Sequence, residues 1–385
     1  MGGSLRIGRF FGIDVFLHWT FGLLIVGAAA FYTLQGAPLL VTLAGIALIL
    51  AVFLCVVLHE FGHALAARRY DVPTKDITLY PIGGVARLQR IPEHPSQELV
   101  VAIAGPAVNV VIAGVLLAGL LATGQSLAFT GGLINPLDGF FSSLMWLNVV
   151  LVGFNLLPAF PMDGGRVLRA VLAMRMDYVR ATTIAATVGQ GMAFLFGLVG
   201  VIVFNPFLLF IAIFVYLGAQ QEAGAAQMRQ VIRGVTVGQA MITQYTPLAP
   251  ENTLADAVAL LLAGSEQEFI VTANARPEGP ALGVLTRKQL IGALSERNHA
   301  TPVGEIMQAA CASVDPGNPL DHAFERMQEN RCPLLPVERN GRLVGLLTLE
   351  NVGELMMLST AVTRRGGSKL AFTDWFRGGR KQDGQ

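Results

Sequence analysis

The sequence predicts a polytopic α-helical membrane protein with six transmembrane helices, followed by a soluble α/β half. Only 14% of the 385 residues are charged and 53% are hydrophobic, whereas about 25% of an average soluble domain is charged. The deficit of charge lies almost entirely before residue 222, and the composition after Gly234 is that of a soluble protein. The two halves therefore face different solvents, and the long apolar runs of the first half match a bilayer core.

Six apolar segments account for the membrane half. They cover residues 16–34, 39–67, 99–122, 140–157, 182–204 and 207–217. A helix needs about 20 apolar residues to cross the hydrocarbon core, and most of these segments approach that length. The last segment is short and follows Asn205-Pro206, which predicts a sharp turn between two helices.

Positive charges predict the orientation of these segments, because Lys and Arg are concentrated in cytoplasmic loops. The loops 35–38, 123–139 and 205–206 contain neither residue. Lys and Arg lie instead before the first segment, in the other two connections and after the sixth segment. These residues are Arg6, Arg9, Arg68, Arg69, Lys75, Arg87, Arg90, Arg166, Arg169, Arg175, Arg180, Arg229 and Arg233. We therefore predict a multi-pass protein of the plasma membrane with cytoplasmic N- and C-termini.

The second apolar segment runs into His59-Glu60-Phe61-Gly62-His63. Residues four apart lie on one face of a helix, so both imidazoles can bind one Zn²⁺ ion, and the intervening carboxylate can transfer protons beside it. Ionisable residues in a span are costly and usually functional. The alternative is a pair of interfacial histidines at a helix end. We interpret the motif as a zinc site within the membrane.

A third ligand is expected, since catalytic zinc normally has three protein ligands and one open position. The fourth apolar segment ends in a stretch, residues 155–166, that contains two prolines, two glycines and Asp163. Irregular backbone at membrane depth must be buried or face a water-filled cavity. We interpret Asp163 as the third ligand; the alternative is a residue that caps the helix beginning at Gly164.

Three motifs together resemble the site-2 protease family of intramembrane zinc metalloproteases. They are the H-E-F-G-H motif, the segment Gly-Pro-Ala-Val-Asn at residues 105–109, and the N-x-x-P-x-x-P-x-D-G stretch that ends in Asp163-Gly164. The segments 12–19 and 80–86 resemble its bacterial and archaeal members. The resemblance implies one zinc ion per chain, held by His59, His63 and Asp163, with Glu60 as the catalytic glutamate and a transmembrane protein as substrate.

Two amides in the apolar segments are candidates for stabilising an oxyanion or positioning the substrate. Asn109 and Asn155 are both uncharged, and each is tolerable within a span only if it has a partner. The alternative role is hydrogen bonding between helices. Residues 76–90 predict a β-hairpin at the membrane edge. It either binds an unwound substrate as an added strand or is a plain surface hairpin.

The soluble half repeats at a period of about 65 residues. The segments 237–241, 252–257 and 283–286 match 303–307, 318–323 and 345–348. Each copy predicts a short helix, an amphipathic helix, two short strands and a final helix. The pair resembles a tandem of CBS domains. We predict a membrane domain at 1–222, the two CBS domains at 235–296 and 301–360, and a basic and aromatic tail at 361–385.

The CBS resemblance implies a binding cleft for an adenosine nucleotide. Its ribose and phosphate pattern is met in the second copy by Gly345, Thr348 and Asn351, whereas the first copy has Gln289 in place of the last residue. The alternative is a module that only packs or forms a homodimer. The tail either lies on an anionic membrane or is disordered.

The three cysteines, Cys55, Cys311 and Cys332, form no C-x-x-C motif, and we expect no disulfide. Cys55 lies one turn before His59 and is interpreted as a packing residue. The formal net charge of +1 gives no indication of a nucleic-acid partner, and we predict none. The function predicted is an intramembrane zinc endopeptidase regulated by its CBS pair; the alternative is a CBS-regulated ion transporter or channel with a non-catalytic metal site.

Overall fold

The computed structural model describes residues 3–81, 83–88, 94–128, 137, 139–232, 234–264 and 267–364. The chain forms two compact units, Met1–Ala226 and Gln227–Gln385. The predicted tail at 361–385 lies outside the described residues apart from its first four, and so do residues 89 and 90 of the predicted hairpin.

The first unit is mainly helical. Its helices are α1 (Thr20–Leu34), α2 (Leu39–Arg68), α3 (Pro95–Ala122), α4 (Phe140–Asn155), α5 (Asp163–Ala173), α6 (Tyr178–Ile202) and α7 (Pro206–Ile232). The last six residues of α7 lie beyond the boundary of this unit at Ala226. In the described part of the chain, α2, α3, α6 and α7 are long and apolar enough to cross a membrane. Helices α1 and α4 are apolar but have only 15 and 16 residues. The described residues therefore contain four helices of this length and hydropathy, against the six spans predicted.

A four-stranded sheet accompanies these helices. Its strands are β1 (Ser4–Phe10), β2 (Ile13–His18), β3 (Thr74–Tyr80) and β4 (Gly83–Leu88), in the order β1-β2-β3-β4. Strands β2 and β3 are parallel, so α1 and α2 form the crossover between them. The hairpin predicted at 76–90 is confirmed by β3 and β4, which are antiparallel.

The helices that match the second to fifth predicted spans begin and end within four residues of the predicted bounds, and the first and sixth spans differ for identifiable reasons. The first begins four residues later than expected, because residues 16–18 belong to β2 and pair with β1 and β3. The sixth does not end at residue 217; α7 continues to Ile232. The added turns are rich in Ala and Gln, which lower the hydropathy but keep a high helix propensity.

Arg169 is one of the positive charges from which the orientation is predicted, but in the structure it is buried. Its guanidinium donates two hydrogen bonds to one carboxylate oxygen of Glu98 on α3 and one, of 2.9 Å, to Glu222 on α7. Charge neutralisation by two carboxylates makes such burial possible. Arg169 therefore ties three helices together rather than marking an exposed loop.

The second unit has the predicted repeat of elements. The first copy contains α8 (Val237–Ala240), α9 (Leu254–Ala263), β5 (Glu268–Thr272), β6 (Ala281–Thr286) and α10 (Arg287–Glu296). The second contains a short 3₁₀ turn (Val303–Glu305), β7 (Gln308–Ala309), α11 (Leu320–Asn330), β8 (Leu334–Arg339), β9 (Arg342–Thr348) and α12 (Leu349–Arg364). One buried cluster joins α8 to residues 314–355 of the second copy, and another joins α9, β5, β6 and α10 of the first copy to Val303 of the second. A third cluster joins Ile270 of the first copy to Leu334 and Leu346 of the second.

The expectation of unpaired cysteines is wrong for two of the three. Cys311 and Cys332 are 21 residues apart and are joined by a disulfide. Sequence spacing gave no sign of it, because the two residues meet only in the folded repeat. Cys332 follows α11, and the segment after Cys311 runs beside β8 through a bridge between Val314 and Val337.

Candidate active site

Three side chains meet where α2, α3 and α5 pack together. The Nε2 atoms of His59 and His63 lie 3.0 Å apart, and Oδ2 of Asp163 lies 3.1 Å from the first and 3.2 Å from the second. All three residues are buried. Among the described residues, these three form a group whose ligand atoms lie close enough together to hold a metal ion.

The local structure explains how Asp163 reaches the two histidines. Asp163 is the first residue of α5, and no side chain caps that helix at Met162, so its carboxylate does not serve as a cap. Gly164 and Gly165 follow it. A Cβ atom on Gly164 would lie 2.2 Å from the carbonyl oxygen of Leu157, and one on Gly165 would lie 2.6 Å from the backbone nitrogen of Phe160. Only glycine lets α5 begin this close to the preceding loop.

The hydrogen bonds around the histidines suit a cation. Nδ1 of His63 lies 2.7 Å from the carbonyl oxygen of Val101, and Nδ1 of His59 lies 2.6 Å from Oδ1 of Asn109. Each Nδ1 therefore donates, which leaves a lone pair on each Nε2. Two lone pairs and a carboxylate at this separation repel one another unless a cation lies among them. Tetrahedral zinc with ligands at about 2.0–2.1 Å has ligand atoms about 3.3 Å apart, close to the observed distances.

Glu60 lies beside this group and faces a cavity of about 450 Å³. Its Oε2 accepts a hydrogen bond of 3.2 Å from the backbone N–H of Ala86, on β4. Strand β4 is an edge strand of the sheet. The cavity is lined by His59, His63 and Asp163 together with Val56, Tyr80, the β4 residues 83–86, Asn109, Leu151, Phe154, Asn155, Pro161, Met162, Arg166 and Phe214. The carboxylate, the three ligand candidates and the strand edge thus border one space.

The two candidate amides differ in their surroundings. Asn109 is only 1% exposed, its oxygen faces His59, and its nitrogen donates to Oδ1 of Asn148 at 2.8 Å. Both ends of its amide are therefore already engaged. Asn155, the last residue of α4, is half-buried and lines the cavity. Asn155 can reach a substrate in the cavity, whereas the oxygen of Asn109 is directed at His59.

Several residues near the site have structural surroundings. Cys55 is buried and packs against Leu48 and Leu144, as expected of a packing residue. Nδ1 of His18, at the end of β2, lies 2.7 Å from the hydroxyl oxygen of Thr20. Sequence analysis missed Asn148, although an Asn within an apolar helix is the same signal that singled out Asn109 and Asn155. It also missed Val101, because a backbone carbonyl leaves no mark in a sequence.

The predicted nucleotide residues cap a helix in the second unit. The hydroxyl of Thr348 accepts from the N–H of Asn351 at 3.2 Å and donates to its Oδ1 at 2.8 Å, at the start of α12. Thr286 and Gln289 form the equivalent cap of α10 in the first copy. The third predicted residue, Gly345, lies close to the backbone of Ile242. A Cβ atom added to Gly345 would lie 2.8 Å from the carbonyl oxygen of Ile242.

Comparison with known proteins assigns both halves. The family model for peptidase family M50 matches residues 47–131 and 128–198, and the model for the CBS domain matches residues 303–356. A zinc metalloprotease of Methanocaldococcus jannaschii is 33% identical over 279 residues, which cover 72% of this chain and 78% of that protein. The protein named as zinc metalloprotease Rip3 of Mycobacterium tuberculosis is 29% identical, covering 92% of this chain and 93% of its own.

Among solved structures, a site-2 protease from Methanocaldococcus jannaschii is 38% identical, covers 57% of this chain and 95% of its own, and has a TM-score of 0.43. The sequence matches do not favour the alternative of an ion transporter or channel, because the membrane half matches a peptidase family. With a long relative above 30% identity and a matching family model, the chain belongs to peptidase family M50 and is a zinc metalloprotease of the site-2 type that carries a C-terminal CBS domain.

Proposed function

We propose that this protein hydrolyses peptide bonds in or near the transmembrane segments of membrane-protein substrates. The observation that carries the proposal is the meeting of His59, His63 and Asp163 beside Glu60 in one cavity, within a unit of long apolar helices. A substrate segment in the bilayer can enter such a cavity without passing through a soluble state.

We assign one Zn²⁺ ion per chain to this site, where the buried side chains of His59, His63 and Asp163 would hold it. Zinc there supplies a Lewis acid that polarises a carbonyl and makes water more acidic. Glu60 accepts the proton of the attacking water and passes it to the leaving amine. Asn155 lies on the wall of the same cavity, where its amide N–H can donate to the carbonyl oxygen as negative charge develops. Asn109 orients His59.

The edge of β4 is proposed to hold the substrate as an added strand. A helical peptide bond is shielded by its own hydrogen bonds, so the substrate must be extended before water can attack it. Among the described strands, β4 pairs with β3 alone, and its residues 83–86 line the cavity next to Glu60. Its other edge can therefore supply backbone hydrogen bonds to an unwound segment.

The test uses the purified protein in liposomes with a single-span substrate, and mass spectrometry locates the cut. We expect a cut in or beside the span, abolished by Asp163→Ala. Replacing a Gly near the cut with Leu should slow cleavage roughly fivefold, because Gly weakens a helix by about 1 kcal/mol. The same replacement two turns away is the control. Equal rates for both substrates would refute the unwinding step, and a zinc-loaded protein that cuts no span would refute the function.

For the topology, we propose that α1 and α4 also cross the membrane, which gives six spans. Both are apolar, and their 15 and 16 residues are slightly short of the usual 17–25 residues. An even number of spans places both termini on one side, and the distribution of Lys and Arg makes that side cytoplasmic. We propose that this membrane is the plasma membrane and that the 1–222 domain is embedded in its lipid bilayer.

We further propose that the segments 235–296 and 301–360 are two CBS domains that bind an adenosine nucleotide around Gly345, Thr348 and Asn351 and modulate cleavage. The matched CBS region at 303–356 and the equivalent caps of α10 and α12 support a tandem. The pair is also the surface proposed for a homodimer. Capping alone accounts for the Thr and Asn of the pattern, so nucleotide binding must be tested directly.

Calorimetry of the full chain with ATP, ADP and AMP, beside cleavage assays, makes that test. We expect binding of at least one nucleotide, its loss in Asn351→Ala and its retention in Gln289→Ala, which removes the equivalent cap of the first copy. A tenfold change in rate requires about 1.4 kcal/mol of difference in nucleotide affinity between two states of the module. Absence of binding to all three nucleotides would leave the pair as a dimerisation or docking module.

A further inference from the structure

A chain of buried amides lies behind His59 and connects α2, α3 and α4. Asn109 is 1% exposed and Asn148 is fully buried. Nδ1 of His59 lies 2.6 Å from Oδ1 of Asn109, and Nδ2 of Asn109 donates to Oδ1 of Asn148 at 2.8 Å. Nδ2 of Asn148 in turn donates to the backbone carbonyl of Leu144 at 2.8 Å. The chain thus runs from a proposed zinc ligand to the backbone of another helix.

The direction of this chain is fixed at its far end. A backbone carbonyl can only accept a hydrogen bond, so the atom of Asn148 that faces Leu144 must be its amide nitrogen. The second N–H of that nitrogen can donate to Sγ of Cys55, which lies 3.4 Å away. The oxygen of Asn148 must then face Asn109, whose nitrogen turns towards it. The oxygen of Asn109 is left facing His59.

The two histidines are therefore anchored in different ways. His63 donates directly to the carbonyl of Val101, which cannot reverse its polarity. His59 donates to a side-chain amide, and an amide can turn over and present its N–H₂ group instead. If Asn109 turned over, Nδ1 of His59 would have to accept, and the ring proton would move to Nε2. That nitrogen could then no longer bind a metal.

We infer that Asn148 is a positioning residue for the metal site: through Asn109, it fixes the tautomer and orientation of His59. This inference rests on the ligand set of the proposed function. The competing explanation is that Asn148 only joins helices by a hydrogen bond, as Asn often does in membranes. The two explanations differ in what should restore zinc binding once Asn148 is lost.

Asn148→Leu removes the anchor while keeping a side chain branched at Cγ, and it frees Asn109 to turn over. We expect zinc affinity to fall about tenfold or more, the range usual for partners of metal-binding histidines. Adding Asn109→Asp should restore most of the affinity, because an ionised carboxylate can only accept and holds the Nδ1 proton without help from Asn148. If Asn148 only joined helices, a second substitution that removes another buried amide would not restore zinc affinity.

Zinc affinity of the purified full chain is measured by competition with a chromophoric chelator, and thermal unfolding reports stability. Met145→Ala is the matched control: Met145 is buried on α4 and packs against Ala113 of α3. It should lower the unfolding temperature and leave zinc affinity unchanged. Should Asn148→Leu fail to fold, Asn148→Ala removes the same amide without added bulk, and the rescue is tested on that background.

Two results would overturn the inference: wild-type zinc affinity in the Asn148 variant, or no gain in affinity from Asn109→Asp on that background. Wild-type protein that binds no zinc would instead overturn the proposed ligand set, and this inference with it. Because zinc binding is measured without a substrate, loss or absence of cleavage has no bearing on either result.

Discussion

Glu60→Gln is expected to abolish cleavage while the protein keeps one zinc ion per chain. The substitution preserves the size of the side chain, and its remaining oxygen can still accept from the backbone N–H of Ala86, the contact that holds Glu60 in place. An amide cannot take a proton from water at neutral pH. Loss of general acid–base catalysis typically costs about 100- to 10,000-fold in rate, so we expect a fall in that range.

The measurement compares the cleavage rate in liposomes with zinc content by atomic absorption and with the unfolding temperature. Retained zinc and stability with lost cleavage would assign Glu60 to proton transfer. Loss of zinc would make Glu60 a ligand instead. A variant with substantial turnover would place the general base elsewhere among the residues that line the cavity.

Local pattern predicted the part of the site that lies on one helix. The two histidines are four residues apart on α2, so helical periodicity alone places them together. Asp163 is 104 residues from His59 in sequence. It was predicted because a catalytic zinc site needs a third ligand, because prolines and glycines mark irregular backbone at the end of an apolar segment, and because that stretch resembles a site-2 protease motif. The structure explains the two glycines, because α5 begins in close contact with the backbone of the preceding loop.

Features that depend on pairing between distant segments were not predicted. Phe16 and Leu17 are as apolar as a transmembrane helix, and only the pairing of residues 16–18 with β1 and β3 makes this segment a strand. The disulfide between Cys311 and Cys332 and the burial of Arg169 between Glu98 and Glu222 have the same origin. Apolar runs and helical spacing report on a residue's own segment, whereas these contacts are settled by how segments fold against one another.

The contact between Gly105 and His63 makes the metal site sensitive to a single methyl group. A Cβ atom on Gly105 would lie 2.2 Å from Nε2 of His63, the atom proposed to bind zinc. The ring cannot move aside freely, because its Nδ1 is bound to the carbonyl of Val101, one turn earlier on the same helix. The imidazole therefore lies across two positions of α3, and the added methyl group must displace either the ring or the helix.

Gly105→Ala is therefore expected to lower zinc affinity by at least about 100-fold, beyond the loss typical of an altered hydrogen-bond partner, and to abolish cleavage. Gly114→Ala is the matched control on α3, where an added Cβ meets no atom within 4 Å. Both substitutions replace Gly with Ala, which favours the helical conformation by about 1 kcal/mol. A weakened helix therefore cannot explain a difference between the two variants. Chelator competition and cleavage assays compare the two variants. Wild-type zinc affinity in Gly105→Ala would mean that His63 does not hold the metal through Nε2 in the observed position.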